Sequence, residues 1–210
     1  MATNFHTTNN IGAGFRISSS SNSGHVILEG VTIGSTDSTA IYHALSSVEN
    51  TLDFVIDGAV YGNNYGMYLI GGGGEFNVEI SIGSTGSVTG VNNGAIFISG
   101  DNVEPLGETH INNAGLIRSD DDAIRVTDMV RFNLTNTGEI STTTEASSAT
   151  TVSADAYLIT ITNDGTISSN FSNASMMATE YHPTLGGFLD ITNTGLISAP
   201  YNNAIESFGR

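Results

Sequence analysis

The 210-residue chain carries 21 acidic residues against five basic ones, all of them arginines, for a formal net charge of -16. Such a negative field repels phosphate backbones and anionic lipid head groups, so the charge excludes nucleic acid as an expected partner. The 25 glycines, with abundant Ser, Thr and Asn, favour short strands and tight turns over helices. Because the chain contains no cysteine, disulfides and thiol chemistry are excluded as well.

The N-terminal segment Met1 to Asn10 has neither a basic start nor an apolar core, so it does not predict an N-terminal export signal. No apolar run approaches the length of a membrane span, and membrane insertion is not expected. The acidity fits a solvated surface that resists aggregation, or an exterior rich in salt or calcium. Since no shift in composition divides the chain, we expect one domain over residues 1–210.

An internal repeat runs along the chain. The segment Gly14-Phe15-Arg16-Ile17 belongs to an incomplete first coil within residues 1–24, and repeated coils fill residues 25–210. Each coil has one anchor position, and the anchors are Val31, Gly58, Gly86, Gly115, Gly138, Gly165 and Gly195. Their spacings of 27, 28, 29, 23, 27 and 30 residues are typical of a solenoid, whose corners absorb changes in length.

Two apolar columns accompany the anchors. Four residues before the anchor the chain has Ile27, Phe54, Ile82, Ile111, Leu134, Ile161 and Ile191. Two residues after it the chain has Ile33, Val60, Val88, Ile117, Ile140, Ile167 and Ile197. The neighbouring positions are polar, which is the alternation of a strand with one buried face.

A second signature follows each of five anchors by eight or nine residues, after a polar turn. Its members pair a small residue with an apolar one: Ala40-Ile41, Gly66-Met67, Ala95-Ile96, Ala123-Ile124 and Ala204-Ile205. Each coil therefore has three strands, a glycine corner, a polar corner and a variable return. The pattern predicts an all-β fold, a right-handed parallel β-helix of about seven coils with three short strands per coil.

A column of asparagines stands two residues before four of the anchors, at Asn113, Asn136, Asn163 and Asn193. Stacked amides can hydrogen-bond to one another along a solenoid axis. We therefore expect these asparagines to form a structural ladder and to take no part in catalysis.

The phrase Asn-x-Gly-x-Ile, followed by a polar turn and Ala-Ile, resembles the β-solenoid regions of large secreted bacterial proteins. These include autotransporter passengers, haemagglutinin-like adhesins and the regions that precede the calcium repeats of RTX (haemolysin-type) proteins. The resemblance spans about Gly14 to Ile205 and implies bacterial export and a role in adhesion, matrix attachment or spacing. The calcium repeat itself is not matched, because Phe76 stands where that family has aspartate.

The coil anchored at Gly115 contains the candidate site. Asp120, Asp121 and Asp122 offer hard oxygen ligands for calcium, and the alternative is a polar turn. Two long return segments, Gly100 to Glu108 and Ala178 to Gly187, are predicted to flank this coil as walls. The expected groove for an extended polysaccharide contains Arg118 and Arg125 from the coil, and Tyr181 and His182 from the second wall.

The interpretation favoured by these patterns is a non-catalytic solenoid module of a secreted or cell-surface bacterial protein, acting as an adhesin, a stalk or a carbohydrate-binding element. The alternative is a polysaccharide-active β-helix enzyme, either a lyase or a glycoside hydrolase. The chain has no lysine, which counts against the lyases, and the sequence indicates no facing pair of carboxylates. The five histidines fall in different columns, so the sequence predicts no histidine metal site. A threonine array of the ice-binding kind is weakly suggested by Thr135, Thr162 and Thr192.

The ends of a solenoid offer unpaired strand edges. We therefore expect either head-to-tail self-association or continuation into further domains. The other expected partners are a polysaccharide or another surface protein.

Overall fold

The computed structural model describes residues 2–19, 22–44, 50–72, 74–100, 107–143, 149–170, 176–180, 187–200 and 203–209. The described residues form 22 strands and no helix. Within these ranges, therefore, no helix could cross a membrane.

The strands belong to three faces that follow one another in every coil. The first face contains β1 (Ala2–His6), β4 (Ser23–Ile27), β7 (Asn50–Ile56), β10 (Phe76–Ile82), β13 (Glu108–Asn113) and β20 (Phe188–Asn193). The second face contains β2 (Asn10–Gly12), β5 (Thr32–Ser35), β8 (Ala59–Gly62), β11 (Ser87–Gly90), β14 (Leu116–Ser119), β16 (Glu139–Thr142), β18 (Thr166–Ser169) and β21 (Leu196–Ser198). The third face contains β3 (Ile17–Ser18), β6 (Ile41–Ala44), β9 (Tyr65–Ile70), β12 (Gly94–Ser99), β19 (Met176–Glu180) and β22 (Ile205–Gly209).

Two long strands link the third face to the first. The first halves of β15 (Asp122–Asn136) and β17 (Val152–Asn163) pair on the third face, and their second halves pair on the first face of the next layer. Between the two halves, β15 and β17 have a register shift at Val126/Met129, and Asp128 there has a φ of 58°.

All pairings between the described strands are parallel, and each strand pairs with its equivalents in adjacent coils. The second face forms an eight-stranded sheet in the order β2-β5-β8-β11-β14-β16-β18-β21. The first and last of these eight strands belong to the end layers, so about six turns have a neighbouring turn on both sides. The predicted parallel β-solenoid is thus confirmed.

The core is a continuous tube of aliphatic side chains. The column two residues after the anchors is in register as predicted, and Ile33, Val60, Val88, Ile117, Ile140 and Ile167 are at most 1% exposed. The second signature also forms one column, with Ile41, Met67, Ile96 and Ile124 at 0% exposure. Burial of this apolar surface is the main favourable contribution to folding.

The column four residues before the anchors needs a correction in two coils. Phe54 pairs with His25 and Ile80, whereas Ile27 and Ile82 pair with Ile56. The cause is a first corner that is two residues longer in those coils, closed by hydrogen bonds from Val31 N to Leu28 O and from Gly86 N to Gly83 O. An insertion of two residues preserves the alternation of inward and outward side chains, so the core stays filled.

The asparagine ladder is present and buried. Asn113 Nδ2 donates to Asn136 Oδ1 at 2.8 Å, and Asn136 and Asn163 donate to the next asparagine at 2.7 Å. The three donor residues are at most 2% exposed. Each amide nitrogen also lies within 3.3 Å of the carbonyl oxygen two residues further on, so the ladder fixes the corner as well as joining coils.

The glycines beside this ladder are required by close backbone approach. A Cβ built on Gly165 would lie 2.2 Å from the carbonyl oxygen of Gly138 in the preceding coil. That same oxygen accepts a hydrogen bond from Thr166 N at 2.9 Å. A side chain here would separate the two layers, which explains the Asn-x-Gly spacing.

We expect Asn136→Leu to lower the free energy of unfolding by about 2–4 kcal/mol, because it leaves the amide of Asn113 and the Oδ1 of Asn163 without ladder partners in a buried site. Urea unfolding followed by circular dichroism measures the change. Thr135→Ala is the matched control, since Thr135 is the exposed neighbour on the same strand and should cost less than about 1 kcal/mol. Equal losses for the two variants would contradict a stabilising ladder.

Candidate functional site

A row of large side chains projects outward from the third face. The residue that follows the apolar member of the second signature points away from the core, because successive side chains of a strand alternate. In four consecutive layers these residues are Tyr42, Tyr68, Phe97 and Arg125, and their Cα atoms are in register. Phe15, from the first layer, stacks on Tyr42. We call Phe15, Tyr42, Tyr68, Phe97 and Arg125 the aromatic ladder.

The rings of the ladder are nearly parallel. Ring centroids are 4.2 Å apart for Phe15 and Tyr42, 5.9 Å for Tyr42 and Tyr68, and 4.9 Å for Tyr68 and Phe97, with interplanar angles of 5–14°. The guanidinium carbon of Arg125 lies 5.9 Å from the Phe97 centroid and ends the row as a cation–π contact. The row therefore follows the solenoid axis for three strand spacings between Phe15 and Phe97, about 14 Å at the usual spacing.

The ladder is open to solvent along its edge. Phe15 is 49% exposed, the rings of Tyr42, Tyr68 and Phe97 are partly buried, and the Arg125 side chain is 54% exposed. Because the internal ring faces cover each other, a ligand beside the row meets ring edges and the hydroxyls of the tyrosines. The outer face of Phe15, away from Tyr42, has no stacking partner among the ring contacts of the described residues.

A shallow depression of about 270 Å³ lies between the ladder and the polar corner. Phe15, Tyr42 and Tyr68 form its ladder side, and Ser38, Thr39, Asn64 and Tyr65 complete its lining. The Tyr65 ring is tilted by 45° to Tyr68 and by 48° to Phe97, so it stands beside the ladder and does not continue it. The depression thus combines apolar ring surface with hydroxyl and amide groups.

Gly94 brings the depression close to the acidic corner. Its Cα is in register with Tyr65 on one side and with Asp122 on the other. A Cβ at this position would lie 2.8 Å from the Asp122 carbonyl oxygen and 3.4 Å from the Tyr65 ring. Burial raises the pKa of Tyr65, and Tyr68, Asp121 and Asp122 raise it further, while Arg125 opposes them.

The predicted metal residues Asp120, Asp121 and Asp122 lie at the corner between the second and third faces. Asp122 Oδ1 accepts a hydrogen bond from Thr150 N at 2.7 Å, and Asp120 accepts one from the Thr143 hydroxyl. Two of the three carboxylates thus tie this coil to the next, as the polar-turn alternative expects. Among the described residues no group of three or more His, Asp or Glu side chains converges on a metal position, and calcium binding stays a prediction.

Burial has a large effect on two of these carboxyl groups. Burial, with a smaller contribution from Asp121, raises the pKa of Asp122 to about 6, although the Thr150 N–H and Arg125 act in the opposite direction. Burial also raises the pKa of Asp121. The Arg125 guanidinium is 3.9 Å from Asp122 Oδ2, but it is largely solvated and compensates little.

The predicted polysaccharide groove is only partly described. Arg118 lies on β14, on the second face, whereas Arg125 lies on the third face, so the structure does not bring the two arginines to one surface. Tyr181 and His182 lie outside the described residues, as do residues 101–106 and 181–186 of the two predicted walls. The aromatic ladder is not among the residues predicted from the sequence, although large aromatic residues follow Ile41, Met67 and Ile96 directly.

We expect Asp122→Asn to stabilise the chain by up to about 3 kcal/mol at pH 7.5, because the neutral amide keeps an acceptor for Thr150 N without a buried charge. The folded state holds a proton on Asp122 more tightly than the unfolded state does. The advantage of the variant should therefore shrink as pH falls from about 6 to about 4. Thermal unfolding across this pH range measures it.

The control for Asp122→Asn is Asp190→Asn, which removes an exposed carboxylate of the first face. Destabilisation by Asp122→Asn at every pH would contradict the cost assigned to the buried charge. The same assay with calcium tests the metal prediction, because an Asp120–Asp122 site would raise the unfolding temperature of the wild type but not of Asp122→Asn.

Comparisons with known proteins supply no further assignment. No protein-family model matches the chain, and searches of the curated proteins and of the solved structures return no match. The resemblance to secreted bacterial solenoids therefore rests on the repeat pattern, and the site must be interpreted from its own chemistry.

Proposed function

We propose that the chain is a non-catalytic binding module of a secreted or cell-surface bacterial protein, and that it holds an extended neutral glycan along the third face. The observation that carries the proposal is the solvent-open aromatic ladder beside a hydroxyl-lined depression. An exposed row of aromatic rings does not help to keep a strongly acidic protein in solution. Such an apolar patch is typical of a binding surface.

The chemistry of the ridge suits sugars. A pyranose has apolar C–H faces and a rim of hydroxyl groups. Its C–H face can lie on the free face of Phe15, and its hydroxyl oxygens are attracted by the electropositive ring edges of Tyr42 and Tyr68. Ser38, Thr39 and Asn64, across the depression, offer further donors and acceptors.

The shape suits an extended chain. The ladder is straight, because it repeats the strand spacing, and it runs parallel to the solenoid axis. A single sugar would occupy only one or two rungs, whereas an oligosaccharide can engage several weak contacts at once. Repeated weak contacts are how a rigid surface gains useful affinity without a deep pocket.

The charge argues for a neutral ligand. The chain has a net charge of -16, and Asp121 and Asp122 lie next to Tyr65 at the C-terminal end of the ladder. Uronate or sulfated chains would be repelled as they approach. Arg125 does not reverse this, since the neighbouring Asp122 offsets its charge.

A polysaccharide-active enzyme remains the second candidate, on one observation. The pKa of Asp122, raised to about 6 by burial, is in the range of a general acid. Glycoside cleavage also needs a second carboxylate across the bond, and Asp122 is already bonded to Thr150 N and only 13% exposed. Release of reducing ends or unsaturated products from any glycan that binds would favour the enzyme over the module.

We expect Tyr42→Ala and Tyr68→Ala each to weaken binding of a neutral oligosaccharide about fivefold, the loss of one aromatic contact worth about 1 kcal/mol. The panel is cellohexaose, xylohexaose, maltohexaose and chitohexaose, with oligogalacturonate as the acidic comparison, and calorimetry reads the affinity. Tyr61→Ala is the matched control, because Tyr61 is a 39% exposed tyrosine on the second face.

Two results would overturn the glycan proposal. One is the absence of binding to all four neutral hexasaccharides. The other is an equal loss on Tyr61→Ala and Tyr68→Ala, which would place the ligand away from the ladder. Preference for oligogalacturonate would retain a glycan ligand but reject the charge argument.

Self-association belongs to the same proposal. At the C-terminal end of the stack Leu189, Ile191 and Ile197 are only partly buried, and Phe188 and Leu196 are 58% and 54% exposed. In the described structure the strands of both end layers pair on one side only, and all strands run parallel, so head-to-tail stacking of two copies would continue the sheets.

We expect concentration-dependent association in sedimentation velocity, reduced by Leu196→Glu, which places a charge on the exposed end. Tyr61→Glu is the control, since it adds the same charge to a side face. A strictly monomeric profile at high concentration would contradict self-association.

A further inference from the structure

Three imidazoles, which the repeat columns assign to separate positions, lie near one another inside the first two layers: His6 contacts His25, and Ser19 connects His25 to His43. His6 Nε2 lies 3.1 Å from His25 Nδ1, and their rings are stacked at 5.4 Å. The other face of His25 is stacked on Phe54, also at 5.4 Å. His25 is 6% exposed and His43, from the same layer, is 0% exposed.

The polar contacts of this cluster hold the imidazoles in the neutral form. His43 Nδ1 lies 2.9 Å from the Ser19 carbonyl oxygen, which can only accept, so Nδ1 carries the proton. His43 Nε2 then has a buried lone pair with no hydrogen-bond partner among the described residues. Protonating it would create a buried charge with nothing to receive its hydrogen.

No described carboxylate lowers the cost of a positive charge here, and only the Ser19 carbonyl oxygen, which raises the pKa of His43, acts against burial. His25 is faced by His6 from β1, by Phe54 from β7 and by Ser19 after β3, and His43 acts on it from β6. His43 is stacked on Phe76 of β10. Arg16, in the same end layer, donates hydrogen bonds to Asn10 Oδ1 and to the Ala13 carbonyl oxygen.

We propose that this imidazole cluster makes the first two layers, residues 2–19 and 22–44, an acid-labile end of the solenoid, which opens below about pH 6 while the layers joined by the asparagine ladder stay folded. Phe15 and Tyr42 belong to those two layers, so opening removes two of the four rings of the aromatic ladder. This consequence for binding rests on the proposed glycan function, whereas the opening itself does not.

The pKa shifts in the first two layers and in the later layers have opposite effects on stability, which supports an acid-labile end. Burial, with help from His6 and His43, lowers the pKa of His25 to about 4, and burial also lowers the pKa of His6 and of His43. The unfolded state therefore takes up more protons, and stability is lost as pH falls from about 6.5 towards 4. In the later layers burial raises the pKa of Asp121, Asp122 and Asp155, so the same change in pH stabilises them.

Hydrogen exchange of the full chain, read by mass spectrometry at pH 7.4 and pH 5 and corrected for intrinsic rates, tests the inference. Between these pH values we expect residues 2–44 to lose protection by about tenfold or more, and residues 107–143 and 149–170 to keep theirs. His25→Phe and His43→Leu should each diminish the loss, since each removes one imidazole and places an uncharged residue like its in-register neighbour, Phe54 or Leu69, in the core.

His110→Asn is the matched control, because His110 lies on the outside of the first face beside Asn133 and Glu108. It should leave the acid response unchanged. Equal protection of residues 2–44 at both pH values, a uniform loss along the chain, or an undiminished loss in both core variants would overturn the proposal. If one of the two core variants does not fold, the other variant tests the proposal. If neither folds, the proposal is tested by the hydrogen-exchange protection of the wild type along the chain at the two pH values.

Calorimetry with the four neutral hexasaccharides at both pH values separates this inference from the proposed function. Binding that weakens at pH 5 in the wild type but not in His25→Phe supports both. An acid-labile end in a chain that binds no hexasaccharide keeps the inference and rejects the glycan function.

Discussion

The structure depends on parallel backbone pairing that keeps equivalent residues of successive coils directly above one another. The register tolerates a change of two residues in a corner, as the longer turns at Leu28–Val31 and Gly83–Gly86 show, because the inward and outward faces are then unchanged. A change of one residue would turn the core side chains of a strand towards solvent. The coil lengths of 23 to 30 residues also differ by odd numbers, so those differences must fall in the segments that connect the paired strands, where they leave the aliphatic tube continuous.

The architecture can be predicted from the sequence because the positions under the strongest physical constraints recur in every coil. Ile117, Ile140 and Ile167 must fill the tube, and Gly165 must admit a neighbouring carbonyl oxygen, so these positions keep one residue type. The sequence does not reveal that the column of Phe54 contains His25 and Ile80 in place of Ile27 and Ile82. Alignment of the coils on the anchor position hides an insertion that lies just before the anchor. The histidine cluster was missed for a related reason, since His6 and His25 meet across diagonal positions and His43 reaches them from another face.

Function is less visible than fold because outward positions carry no packing constraint. Four members of the aromatic ladder occupy one outward column in four consecutive layers, and Phe15 joins them from the first layer, so the ladder forms no chain-wide repeat. From the sequence, the neighbouring Asp122 is either a metal ligand or a turn residue. In the structure it is a largely buried corner residue that accepts a hydrogen bond from Thr150 N, and burial raises its pKa. The two ends of the ladder therefore sit in different environments, a histidine-containing end and a carboxylate-containing end.

The in-register stacking can be tested most directly with engineered disulfides, since the chain has no cysteine of its own. Thr135 and Thr162 are paired in register, so their Cα atoms lie about one strand spacing apart, near 4.8 Å, within the range that a disulfide spans. Thr135→Cys with Thr162→Cys should cross-link on mild oxidation, and so should Val55→Cys with Ser81→Cys across the longer corner. Thr135→Cys with Thr160→Cys, displaced by two residues along β17 to roughly 8 Å, should not. Efficient cross-linking of the displaced pair, with none in the two paired ones, would contradict the register on which the fold and both proposals depend.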